Sequence, residues 1–195
     1  MPRHTLSQWV SHLRAIAAPA ATAPPPVGAA ASIERPFAAV VCGLSPGLPP
    51  DPMPPAEVGL WWALVETDIE VDPLLEEPTD GSLWPHGRFT AIEVWTEAEL
   101  CGLHALWGLA RLRNRDDWAR RAMTVRDWHL HNTQPDNATN RPWSLHVFLL
   151  AETPEAYHYA ETLLHNAMVT TGRPELLSAW ILLDSAKQLE AVVGR

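Results

Sequence analysis

Residues 96–113 read TEAELCGLHALWGLARLR, and this stretch decides the class of fold. Residues 100–110 contain no charged side chain, and the apolar run is longer than a typical strand. A helix without charge is buried on nearly all sides in a globular protein. Thr96 and Glu99 have the spacing of a capping box, so we predict a long buried helix that begins at Thr96.

Four more helices are predicted after this one, and short turns join them. We expect them at residues 116–131, 142–151, 154–172 and 174–193. Thr153 followed by Pro154 is a typical helix start, and a glycine such as Gly172 is a typical stop. Short connections make sequential helices antiparallel neighbours. The sequence thus predicts a mainly α protein of antiparallel αα-hairpins, arranged as a helical array or a partial toroid.

The N-terminal part of the chain differs in composition from the rest. Residues 1–18 are predicted to form an amphipathic helix with Thr5 and Gln8 as its capping box. Residues 19–56 are a Pro/Ala-rich linker in which only residues 37–42 could dock as a strand. The helix either packs on the core of its own chain or binds a partner, since it resembles the docking peptides that deliver cargo to bacterial protein compartments.

A small β-ribbon is predicted within an acidic segment, residues 61–95. Hydrophobic residues and carboxylates alternate along residues 61–72, and residues 88–95 form a second strand candidate. Residues 57–195 would then form the helical-hairpin domain. Residues 59–100 hold ten acids against Arg88 alone, which accounts for the whole net charge of −9. An arginine cluster follows at residues 111–126, and we expect it to pack near the acidic segment.

Composition excludes several classes of function and compartment. An acidic chain without a basic domain does not favour nucleic-acid binding. No apolar run approaches the ~18 residues that a membrane span requires. Cys42 and Cys101 lack the spacing of a redox or zinc site, which favours a reducing cytoplasm. Polar residues interrupt the N-terminal apolar stretch, so we do not expect export.

Residues 128–143, WHLHNTQPDNATNRPW, are the main candidate for a functional site. The stretch has more hydrogen-bonding side chains than a turn between helices requires. It either closes on itself through turns and caps or binds a ligand. The candidate ligand-binding residues of this stretch are Trp128, Asp136, Asn137, Asn140, Arg141 and Trp143. Asp127 and His131 lie four apart on one helical face, the spacing of a carboxylate that orients a general base.

Further histidines extend this candidate site. His158, Glu161 and His165 form a polar stripe on one predicted helix, and His146 stands alone in an apolar one. If polar stripes face each other, these side chains and His131 converge on a metal or a substrate. Each histidine is also explained as an ordinary core or surface residue. Metal-binding spacings such as His-Glu-x-x-His are absent, so the sequence identifies no cofactor.

The series of predicted αα-hairpins from residue 96 to residue 193, with Ala/Leu-rich faces and tryptophans, resembles part of an α/α-toroid. Six-hairpin glycosidases and terpenoid cyclases share that architecture. The resemblance covers about half of the chain, and five predicted helices are fewer than a closed ring needs. Neither the aspartate motif of the cyclases nor the carboxylate pair of the glycosidases is present, so no catalytic residue is carried over.

Two functions follow from these observations. The first is a non-catalytic helical binding or assembly module inside the cell, with a protein partner or self-association. The alternative is an enzyme for a carbohydrate-like or isoprenoid-like small molecule. Its site would be lined by histidine and aspartate at residues 127–146, with metal dependence left open and with Asp127 and His131 as its catalytic residues.

Overall fold

A computed structural model describes residues 5–29, 31–75, 80–133, 139 and 141–194. Over these residues the protein is mainly α-helical, with eight α-helices, two short 3-10 turns and no β-strand. The chain divides into two compact units, Pro26–Gln134 and Met1–Pro25 with Pro135–Arg195. None of the described helices has the length and apolar character needed to cross a membrane.

The unit Pro26–Gln134 is built from four helices around a tryptophan-rich core. They are α2 (Glu34–Cys42), α3 (Ala56–Val65), α4 (Ile92–Leu112) and α5 (Asp116–Asn132). Helix α3 packs against α2 and α4, and α4 packs against α5. Phe37 of α2 contacts Trp61 of α3 edge to face, with 5.1 Å between the ring centroids. The Trp61 indole N–H donates to Cys101 Sγ in α4 at 3.3 Å, so the polar atom of this buried ring is satisfied.

The other unit combines both ends of the chain. Its helices are α1 (Leu6–Ala17), α6 (Leu145–Leu149), α7 (Pro154–Asn166) and α8 (Leu176–Val193). Helix α1 packs along α8 and buries Trp9 and Leu13. Arg14 makes a bidentate ion pair with Glu190 of α8, at 3.1 and 2.6 Å. The apolar face of the N-terminal helix is therefore covered by its own chain.

Two of the predicted helix starts have capping side chains in the structure, whereas the start predicted at Thr96 was wrong and the helix predicted from residue 142 begins at Leu145. Thr5 and Gln8 form the predicted capping box, and Thr153 Oγ1 accepts a hydrogen bond from the Ala156 N–H at the start of α7. Helix α4, however, begins at Ile92 and not at Thr96. Thr96 Oγ1 donates to the Ile92 carbonyl inside the helix. Since Thr96 already lies within the helix, neither it nor Glu99 serves as a cap.

The predicted β-ribbon is wrong, because the described residues contain no strand. Residues 61–65 are the last residues of α3, and residues 66–71 form turns and bends. Arg113 donates hydrogen bonds to the carbonyl oxygens of Ala63, Glu66 and Ile69 at 2.7, 3.4 and 3.2 Å. One guanidinium thus satisfies the carbonyl of Ala63 near the end of α3 and two carbonyls of the turn that follows it.

The two other strand candidates are also wrong. Residues 92–95 form the first turn of α4, where the Trp95 N–H bonds the Ala91 carbonyl. Residues 37–42 belong to α2, which ends at Gly43 in the left-handed conformation that glycine tolerates. In both places the stretch was too short for the sequence to decide between strand and helix.

Part of the acidic segment packs on the arginine-rich turn, as expected. The Trp118 indole N–H donates to Asp72 Oδ1 at 2.8 Å. The guanidinium of Arg115 lies 4.1 Å from the centroid of the Trp118 ring and 3.7 Å from the Asp72 carboxylate. Arg113, by contrast, binds backbone carbonyls and not carboxylates. The arginine-rich turn therefore binds the acidic segment through backbone carbonyl oxygens as well as through a carboxylate.

Gly102 allows α4 to approach a fully buried tryptophan. A Cβ atom at this position would lie 2.2 Å from Cη2 and 2.6 Å from Cζ3 of Trp84. Gly108 lies two turns further along the same helix, where a Cβ atom would meet only Leu64 at 3.4 Å. The two glycines differ in what surrounds them, although both lie inside α4.

We expect Gly102→Ala to lower the free energy of unfolding by about 1–3 kcal/mol, because the ring of Trp84 must shift. Gly108→Ala is the matched control and should raise it by about 0.5–1 kcal/mol, since alanine favours the helix and has room. Urea denaturation measures both. Equal effects of the two substitutions would contradict this packing of Trp84 on Gly102.

Candidate functional site

Asp127 and His131 do not form a carboxylate–imidazole pair. The Asp127 carboxylate pairs with Arg126 at 2.8 Å. His131 Nδ1 lies 2.6 Å from the backbone carbonyl oxygen of Asp127. Both residues are exposed at the C-terminal part of α5. This geometry does not orient His131 as a general base.

The histidines of the other unit do not meet at one point. His158, Glu161 and His165 all lie on the exposed side of α7. His146 is fully buried in α6, with Nδ1 3.3 Å from Ser185 Oγ of α8. Within the part of the chain that the structure describes, no three His, Cys, Asp or Glu side chains are grouped to hold a metal ion.

The residues of the amide-rich loop are placed only in part. Asp136, Asn137 and Asn140 lie outside the described residues. Arg141 Nε lies 3.7 Å from Glu175 Oε1 within the same unit, and Trp143 is fully buried. These two side chains support the fold of their own unit, and Arg141 is only half-buried.

A buried polar cluster occurs elsewhere in the unit Pro26–Gln134, around Glu99. The side chain of Glu99 is fully buried. Its carboxylate accepts hydrogen bonds from the Leu83 N–H at 2.8 Å and from the Trp84 N–H at 2.5 Å. A buried carboxylate requires donors of this kind, because its desolvation is otherwise very unfavourable. Glu99 thus holds the segment before α4 against the helix that follows it.

His129 of α5 is the third partner of this carboxylate. His129 Nε2 lies 3.3 Å from Glu99 Oε2, and both side chains are fully buried. The other ring nitrogen, Nδ1, lies 3.0 Å from Thr133 Oγ1. Glu99, His129 and Thr133 therefore form one hydrogen-bonded chain, which we call the Glu–His–Thr chain.

The turn above Glu99 has a second carboxylate, Asp80. Its Oδ1 accepts from the Ser82 backbone N–H at 3.0 Å and from Ser82 Oγ at 2.7 Å. Arg121 of α5 donates to the Ser82 carbonyl oxygen. Burial acts to raise the pKa of Asp80, but the hydrogen bonds from Ser82 and the positive charge of Arg121 outweigh it and keep that pKa below its ordinary value. The turn is therefore tied to α5 as well as to α4.

Aromatic rings cover one side of the Glu–His–Thr chain. Trp95 contacts the rings of His86, Trp128 and His129, with centroid distances of 5.5, 5.5 and 5.9 Å. The Trp95 indole N–H donates to the Trp84 carbonyl at 2.9 Å. Trp128, the one candidate from residues 128–143 in this cluster, is half-buried and lies beside His129. The aromatic rings limit the access of water to the imidazole on that side.

Sequence reasoning missed His129 and Thr133 and assigned Glu99 to a cap. A signal for Glu99 was present, since it borders an uncharged helix whose neighbours are buried. His129 and Thr133 also have the spacing of one helical turn, as Asp127 and His131 do. Nothing in the local sequence shows that His129 points inward and His131 outward.

No protein-family model, curated protein or solved structure matches this chain. The resemblance to an α/α-toroid therefore stays a prediction from the sequence pattern.

We expect Glu99→Gln to lower the free energy of unfolding by about 2 kcal/mol. An amide has one oxygen, so its NH2 group must face at least one of the three donors around residue 99. Glu93→Gln, at an exposed position of the same helix, is the control and should change stability by less than ~0.5 kcal/mol. Urea denaturation compares them. Similar small effects would show that the Leu83 and Trp84 N–H groups do not depend on the carboxylate.

Proposed function

We propose that the protein is a helical binding or assembly module, and that residues 44–55 are its binding segment. The observation that carries this proposal is the exposure of Leu48, which reaches 87%. No other large hydrophobic side chain of the described residues is as exposed. Leu44 and Met53 in the same segment are also exposed. A group of exposed apolar side chains in one loop is typical of an interaction site.

Both ends of the binding segment are held by helices that pack against each other. It connects α2 to α3, and these helices pack together through Phe37 and Trp61. Arg35 of α2 donates to the Pro46 carbonyl at 3.4 Å, which holds the first part of the segment near the helix. Fixed ends reduce the conformational entropy that the segment loses when a partner binds.

The composition of the segment indicates the chemistry of its partner. Six of residues 44–55 are proline. Residues 44–54 make no backbone–backbone hydrogen bond with any other described residue. Since proline has no N–H, the segment offers mainly carbonyl acceptors and apolar surface. We therefore propose a protein partner with an apolar pocket for Leu48 and hydrogen-bond donors beside it, as in the aromatic-lined grooves that bind proline-rich segments.

Other features agree with this proposal. The apolar face of α1 already packs on α8, so the segment and not the N-terminal helix is the better candidate for docking. Asp127 and His131 give no support to the alternative enzymatic site, because their side chains are not paired. A cytoplasmic location, without nucleic-acid or membrane binding, is part of the proposal and rests on Cys42 and Cys101, which do not form a disulfide with each other, and on the acidic net charge.

A photo-crosslinking amino acid at position 48 of the full-length protein, activated in cells, tests the proposal. We expect one dominant product, either with another protein or with a second copy of this chain, because Leu48 would enter a pocket of that partner. The control is the same amino acid at position 169, where Val169 is 60% exposed in the other unit. Mass spectrometry identifies the products.

Leu48→Asp should weaken the identified complex at least ~10-fold, since it removes the burial of one leucine. Val169→Asp should leave the affinity unchanged. Isothermal titration calorimetry measures both. Identical products at positions 48 and 169, or no product at either, would overturn the proposal.

A further inference from the structure

The Glu–His–Thr chain has the order of groups that activates a hydroxyl. We propose that Thr133 Oγ1 is a nucleophile for acyl esters, with His129 as its general base and Glu99 as a positioning residue. In hydroxyl-dependent hydrolases one imidazole nitrogen faces the hydroxyl and the other faces a buried carboxylate. Here Thr133 Oγ1 lies 3.0 Å from Nδ1, and Glu99 Oε2 lies 3.3 Å from Nε2.

The surroundings of Glu99 determine which nitrogen of His129 carries the proton. Both oxygens of the carboxylate already accept a backbone N–H group, and an ionised carboxylate acts only as an acceptor. His129 Nε2 must therefore be the donor toward Glu99. In the neutral ring, Nδ1 is then an acceptor, and the atom within its reach is Thr133 Oγ1. This is the tautomer that a base for the hydroxyl requires.

The hydroxyl proton can face either His129 Nδ1 or a backbone carbonyl oxygen. Thr133 Oγ1 is 3.1 Å from the His129 carbonyl oxygen, a contact that helical threonines commonly make with the residue one turn before. Thr162 makes the same contact with the His158 carbonyl at 3.0 Å and is half-buried like Thr133, but the side chain of His158 is exposed. The pair of Thr162 and His158 thus serves as a comparison for a helical threonine whose preceding histidine is not buried.

Thr133 is less buried than the other two residues of the Glu–His–Thr chain. Glu99 and His129 are fully buried, whereas Thr133 is half-buried and follows the last residue of α5. The hydroxyl thus lies at the boundary of the core with its base behind it. The proposed reaction requires that an ester reach Oγ1 from the side of Thr133 that is not buried, while the imidazole is screened from water.

The proposed reaction uses only the ester, water and the side chains of Thr133 and His129. Thr133 Oγ1 attacks the ester carbonyl carbon, and its proton moves to His129 Nδ1. The bond between the carbonyl carbon and the alkoxy oxygen breaks, and the leaving alkoxide takes the proton from Nδ1. Water then attacks the threonyl ester with the same base, which releases a carboxylic acid and restores the hydroxyl. The Nε2 proton stays on the ring and faces Glu99 throughout.

A fluorophosphonate probe on the full-length protein tests this inference, because it leaves a stable phosphonyl group on an activated hydroxyl and releases fluoride. We expect one adduct, on Thr133, mapped by peptide mass spectrometry. Thr133→Val should abolish it, and Thr133→Ser should keep it. Thr162→Val is the matched control and should leave the labelling unchanged. His129→Gln should slow the labelling by roughly 100-fold, the usual contribution of a general base.

The role of Glu99 is separated from its effect on stability by a second control. Glu99→Gln should slow the labelling of Thr133, whereas Leu163→Ala, which removes a fully buried side chain in the other unit, should lower stability and leave the labelling rate unchanged. Equal labelling of Thr133 and Thr162, an adduct only at another residue, no adduct at all, or unchanged labelling in His129→Gln would overturn the inference. Thr133 would then be an ordinary helical threonine.

Discussion

The burial of the Glu99 carboxylate is the constraint on which the unit Pro26–Gln134 depends. A carboxylate without access to water must find donors inside the protein, and it finds the N–H groups of Leu83 and Trp84. Those bonds fix the chain before α4 against the middle of that helix. Trp84 is then held over Gly102, and its carbonyl accepts from the Trp95 indole. One charge therefore organises both the turn and the aromatic core beside it.

Arg113 plays the corresponding role for the chain after α3. Its guanidinium binds three carbonyl oxygens of residues 63–69, while Glu99 binds two N–H groups of residues 83 and 84. Charged side chains with several donors or acceptors can satisfy several backbone groups at once. The long connection from α3 to α4 is thus held by side chains at both ends. The connection is therefore held in place without a strand in the described residues.

The sequence was sufficient where the deciding interactions are local. The Thr5 capping box, the Thr153 cap and the buried middle of α4 all follow from residues within a few positions of each other. It was insufficient at Thr96 and Glu99, whose spacing fits a cap although Glu99 binds Leu83 and Trp84, 16 and 15 residues away. The prediction of the functional site was wrong for the same reason. His129 and His131 are two residues apart, and only the packing of α5 on α4 decides which of them meets a carboxylate.

Structural need explains Glu99 but does not by itself explain His129. The N–H groups of Leu83 and Trp84 are satisfied by the carboxylate alone, so the turn would be held with an apolar residue at position 129. An imidazole in a fully buried place brings two polar nitrogens that must both be matched. Glu99 matches one of them, and Thr133, at the edge of the core, faces the other. The Glu–His–Thr chain thus places an imidazole nitrogen that can accept a proton beside the Thr133 hydroxyl, as the proposed reaction requires.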